Sequence, residues 1–128
     1  MAWHDGRFIV VGGLPPGITE NYICEYDEGL RFRKRHVLAS GYTLMGIQSV
    51  AHTDGAWWFG CCGKPAVLLR ADEQFRFAGK WEFNASVGIA TASRGRFLIA
   101  RNTLVKDTNN VVEIVVARFN EERGMILE

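Results

Sequence analysis

The sequence predicts an all-β chain built from repeated units of four short antiparallel strands, and three observations predict it. Its apolar segments are short and rich in β-branched and aromatic residues, and none sustains a long apolar period of 3.6 residues. Clusters of Gly, Pro, Asp and Asn punctuate them. Two kinds of turn also return in the same order at intervals of about 40–50 residues, as repeat architectures require.

Arg7–Val11 (RFIVV) follows the turn pair Asp5-Gly6 and has strand chemistry. Gly12-Gly13-Leu14-Pro15-Pro16-Gly17 forbids a regular element and reads as a loop. A second strand spans Asn21–Tyr26 and ends at Asp27-Glu28-Gly29. Leu30–Ala39 carries Arg31, Arg33, Lys34, Arg35 and His36, a charged edge strand that resists sheet-to-sheet pairing, with an anion-binding stripe as the alternative. The central unit follows with Gly46–Ala51, Trp57-Trp58-Phe59, Ala66–Arg70 and Phe75–Phe83. The last unit has Ser86–Ala92, Phe97–Ala100, Val111–Phe119 and Met125–Leu127. VVEIVVARF is too β-branched for a helix to be the better reading.

Laid over one another, the units align. Asp5-Gly6, Asp54-Gly55 and Arg94-Gly95 occupy one turn, each followed by a strand of matching shape. Tyr26-Asp27-Glu28, Ala71-Asp72-Glu73 and Phe119-Asn120-Glu121 occupy a second. Four short strands at this period describe a propeller blade, and the aromatics Phe8, Trp57 and Phe97 recur on one face as inter-blade packing would require. The domain is thus a single repeat array, with blades at about residues 1–41, 42–84 and 85–128. TDGAWWFG, followed by a strand and ADEQFRF, resembles the repeats of streptogramin-lyase, NHL and two-component-regulator propellers. The resemblance implies a fold and transfers no catalytic residue. Three blades fall short of the four to eight that close a ring. The expectation is a homodimer completing six blades, with Met125–Leu127 pairing with a partner's N-terminal strand. The alternative is a piece of a longer propeller.

The chain has 128 residues, one domain's worth, and a formal net charge of +1. That balance argues against generic nucleic-acid or acidic-membrane binding. Cys24, Cys61 and Cys62 are an odd number without zinc-ligand spacing, which suits a reducing compartment. Neither a signal peptide nor a span is evident, so a cytoplasmic location is expected.

His4 and His52 each stand near an Asp-Gly turn at the end of an innermost strand, where a pair can bind a metal or move protons. Thr53, Thr91 and Ser93 hold equivalent polar positions and suggest plain channel lining. Because the third unit lacks a matching histidine, structural or solvent-exposed histidines are the preferred reading, with no metal and no cofactor expected. Cys61 and Cys62 read as structural, and Trp57, Trp58 and Trp81 as blade packing. The acidic turn residues Asp27, Glu28, Asp72, Glu73 and Glu121 read as solvated. The loops Gly12–Glu20 and Asn102–Asn110, with Lys106 and Asp107, are the best place for ligand contacts. Candidate ligand-binding residues are therefore His4, His52, Thr53, Ser93, Lys106 and Asp107; no catalytic set is assigned. Two functions follow: a non-enzymatic binding or assembly module with a small-molecule or protein ligand, or a propeller-based lyase or hydrolase with its site in the central channel.

Overall fold

A computed structural model describes residues 1–103 and 111–128, and every regular element among them is a strand. The first sheet comprises β1 (Ala2–His4), β2 (Arg7–Val11), β3 (Asn21–Asp27) and β4 (Phe32–Leu38). The second comprises β5 (Ser49–Thr53), β6 (Ala56–Cys61), β7 (Val67–Asp72) and β8 (Phe77–Glu82). The third comprises β9 (Gly88–Thr91), β10 (Arg96–Thr103), β11 (Val111–Asn120) and β12 (Gly124–Leu127). Each sheet is an open antiparallel meander with its strands in chain order. Val111–Asn120 is a strand, as its β-branched content predicts.

The turns repeat in atomic detail. Asp5 and Gly6 (φ 48° and 72°) and Asp54 and Gly55 (φ 51° and 70°) form two-residue hairpin loops with both residues left-handed. In the third sheet Arg94 and Gly95 adopt the same conformation (φ 62° and 66°). That hairpin carries one more residue, with the Ala92 N–H donating to the Arg96 carbonyl at 2.8 Å. The β3–β4 and β7–β8 turns share a second design. The Asp27 backbone N–H donates to the Arg31 carbonyl and that of Asp72 to the Arg76 carbonyl, both at 3.0 Å. Leu30 (φ 58°) and Phe75 (φ 60°) take the left-handed position in each. Backbone N–H groups of Arg76 and Gln74 donate to the Asp72 carboxylate at 2.9 Å. These bonds, the one from Arg76 foremost, hold its pKa below the ordinary carboxylate value.

Packing is layered face to face. On β6 every residue is buried, and alternation sends its side chains to two different cores. Trp57, Phe59 and Cys61 join Ile9, Ile23 and Leu38 of the first sheet. Ala56 and Trp58 join Phe97, Ile99 and Ala117 of the third. A strand covered on both faces reads as an unbroken apolar run, which is why AWWFGC shows no polar alternation. Of the first strands, β5 adjoins both β1 and β9, and β8 approaches β12.

Buried polar groups tie the layers together. Asn21 donates to Ser40 Oγ at 2.8 Å and accepts from Thr43 Oγ1 at 3.1 Å. Ser49 Oγ donates to the Ala85 carbonyl at 2.6 Å, bridging the second sheet to the start of the third unit.

One strand boundary needs correction. The last strand of the second sheet begins at Phe77, because Phe75 is diverted into the left-handed turn and its ring enters the core. Met125–Leu127 is a strand as expected and lies in β12, at the outer edge of its sheet. The basic segment forms the edge strand β4, where Arg33 reaches Asp27 at 3.4 Å and Arg35 lies 4.7 Å over the Tyr22 ring.

Candidate functional site

His4 ends β1, His52 lies in β5 and Glu73 in the β7–β8 turn. Strand alternation places His4 on the face of the first sheet that carries Ala2, turned toward the second sheet. His52 pairs across its hairpin with Trp57 and shares that residue's face, turned toward the first sheet. The two histidines therefore meet at the seam between sheets, their ring centroids 3.6 Å apart. Glu73 completes the cluster. Its Oε1 lies 2.8 Å from His52 Nε2, and its Oε2 lies 3.9 Å from His4 Nε2. One potential ligand atom from each residue falls within 4.8 Å of the other two.

The surroundings are asymmetric. The buried Trp57 indole walls one side, edge-on to His4 and 4.6 Å from the His52 ring. Side-chain exposure is 11% for His52 but 32% and 37% for His4 and Glu73, so the cluster opens to solvent. It lies beside a groove of about 270 Å³ lined by β1, β5 and β9, including His4, His52, Ile89 and Thr91. Chemically, this is two imidazoles and a carboxylate with an open side. Glu73 orients His52 by hydrogen bonding, and the set suits either cation binding or proton transfer.

The repeat separates what the fold needs from what it does not. By register, Trp3 opposite Phe8, His52 opposite Trp57 and Thr91 opposite Phe97 are equivalent. His4 opposite Arg7 matches Thr53 opposite Ala56. At the second seam, Thr53 and Thr91 thus stand where His4 and His52 stand at the first. The acidic residue recurs in every sheet as Glu28, Glu73 and Glu121. The histidine pair is confined to one seam, so repeat architecture does not account for it.

Of the residues singled out from sequence, His4 and His52 are brought together. Thr53 alternates to the opposite face of β5, and Ser93 sits exposed in the β9–β10 turn, where its carbonyl accepts from Arg96 Nε at 3.3 Å. Lys106 and Asp107 lie outside the described residues. Sequence reasoning left Glu73 as a solvated turn residue; its recurrence was legible, but its reach across the seam was not. The remaining histidine, His36, shares Glu25 with Arg7, each 3.1 Å from Glu25 Oε2. That cluster is internally satisfied at the carboxylate and reads as structural. All three cysteines are free, and burial, assisted by the neighbouring Cys62, pushes the Cys61 thiol up to about 12.

No protein-family model, curated protein or solved structure matches the chain.

Proposed function

We propose that the chain is a non-enzymatic assembly and binding module, half of a β-propeller whose second copy completes a six-bladed ring. The observation that carries this reading is the set of large apolar side chains exposed on the outer faces of the two end sheets. On the first sheet Trp3, Leu30 and Phe32 are 51%, 64% and 58% exposed. On the third sheet Ile114 and Ile126 are 61% and 45% exposed on the face of Leu98, which also carries the Arg96, Arg118 and Glu128 ion pairs at its turn end. Alternation directs Phe8 away from the second sheet, just as Trp57 and Phe97 each point toward the sheet that precedes theirs. Leu30 holds the turn position at which Phe75 is buried against the first sheet. The first sheet thus presents at Phe8 and Leu30, and the third at Leu98 and Ile114, positions that their repeat equivalents Trp57, Phe75, Ile9 and Leu68 bury, and the two kinds of face would meet twice in a two-fold pair. The repeated Asp-Gly turns and the resemblance to the NHL and streptogramin-lyase type of repeat support the same reading. Small-molecule or protein ligands would be met at the groove along β1, β5 and β9 and at the Gly12–Glu20 loop.

Light scattering across a dilution series tests it. A stable dimer is expected; a well-folded monomer at every concentration would refute ring completion.

The convergence of His4, His52 and Glu73 favours a second reading, a lyase or hydrolase acting in the channel. A screen of ester and lactone substrates in which His52→Ala abolishes any turnover found would support it. Turnover that survives His52→Ala would rule it out.

A further inference from the structure

We infer that His4, His52 and Glu73 form a binding site for a borderline divalent transition cation of the zinc class. The ligand chemistry selects that class. Two imidazoles and one carboxylate match the three-protein-ligand sets of open zinc sites, whereas calcium and magnesium seek all-oxygen shells. Tetrahedral bonds of about 2.0–2.1 Å place neighbouring ligand atoms about 3.3 Å apart. His52 Nε2 stands 2.8 Å from Glu73 Oε1 and His4 Nε2 stands 3.9 Å from Glu73 Oε2, with one ligand atom of each residue within 4.8 Å of the others. The two imidazoles lie face to face with centroids 3.6 Å apart, so the partly exposed His4 ring must swing away from His52 for both nitrogens to point at one cation. Trp57 shields one flank, and the open flank leaves a position for water or an exogenous ligand.

The site has a structural consequence. His4 belongs to the first sheet, while His52 and Glu73 belong to the second. A bound cation clasps the two sheets at their innermost edge, where the core of Trp57, Phe59 and Ile9 ends in the Trp57 ring. All three ligands come from one chain, so the inference stands apart from whether a ring closes.

The test is zinc titration of the full chain by calorimetry, with cobalt(II) absorption as the second measurement. One equivalent per chain is expected, with a rise in Tm. Glu73→Gln and His4→Ala should each weaken binding by at least the roughly 10–100-fold that loss of even an outer-shell ligand partner causes. Glu73→Gln keeps the side chain's size and decides the matter if His4→Ala fails to fold. Cys24→Ser and Cys62→Ser should leave affinity unchanged, and the cobalt spectrum should lack a thiolate charge-transfer band. Absence of one-equivalent saturation, affinity indifferent to Glu73→Gln, or a thiolate band each overturns the assignment.

Discussion

Phe75 and Leu30 occupy one turn position in two sheets, and replacing each with alanine separates the chain's own stability from that of the proposed dimer. Phe75 is 2% exposed, stacked 5.1 Å from Trp57 and 4.5 Å from His36. Its truncation opens a cavity at the first seam and is expected to cost about 3–5 kcal/mol, a large part of a typical domain's stability. Leu30→Ala removes a side chain that is 64% exposed in the single chain, so the isolated fold should change by only about 0.5 kcal/mol. In a two-fold pair the same change acts at both seams. Burying a fully exposed leucine is worth about 1.5–3 kcal/mol and about two thirds of Leu30 remains to be buried, so the proposed dimer would lose about 2–4 kcal/mol, or about 30–10³-fold in Kd. Urea unfolding of the Phe75 variant and the light-scattering midpoint of the Leu30 variant read the two quantities. A Phe75→Ala penalty below about 1 kcal/mol would refute the packing argument. A dilution midpoint indifferent to Leu30→Ala would refute the ring. Glycine supplies an internal check: both positions have positive φ, so Phe75→Gly should be less damaging than Phe75→Ala by about 1 kcal/mol, reversing the usual order.

Two further outcomes follow from the buried seams. A Cβ added at Gly60 would lie 2.5 Å from Ser49 Oγ and inside contact distance of the Ala85 carbonyl. Gly60→Ala should therefore cost about 2–4 kcal/mol by overpacking and loss of the Ser49 hydrogen bond, seen as a Tm lower by at least about 5 °C. Cys61 should resist alkylation in the native chain at pH 8 while the half-buried Cys24 and Cys62 react. Because the native Cys61 pKa is raised from 9.0 to about 12, the unfolded thiol ionises first as pH rises. Its contribution is intact below pH 9 and is lost progressively between 9 and about 12, and Cys61→Ala should remove that part of the alkaline decline.

The sequence determined the strand chemistry, the turns and the repeat, because these rest on local causes. Asp-Gly pairs are tolerant of the left-handed conformation, β-branched runs fit a pleated surface, and a carboxylate or amide caps each acidic turn through bonds within a few residues. It also determined that Trp57-Trp58-Phe59 is strand, and alternation then sends neighbouring rings to different cores. Tertiary structure alone decided which residues meet across a seam. His4 and His52 hold different registers in their hairpins, so repeat alignment did not place them together; facing orientations of two separate sheets did. Glu73 reaches them because its turn closes at the same end of the seam, and no spacing within the sequence encodes the approach of one sheet to another. Phe75 shows the same limit. Its place in the chain reads as the start of a strand; the turn it shares with the exposed Leu30 sets φ near 60° in both, and tertiary structure alone decided that the Phe75 ring is buried, against Trp57 and His36.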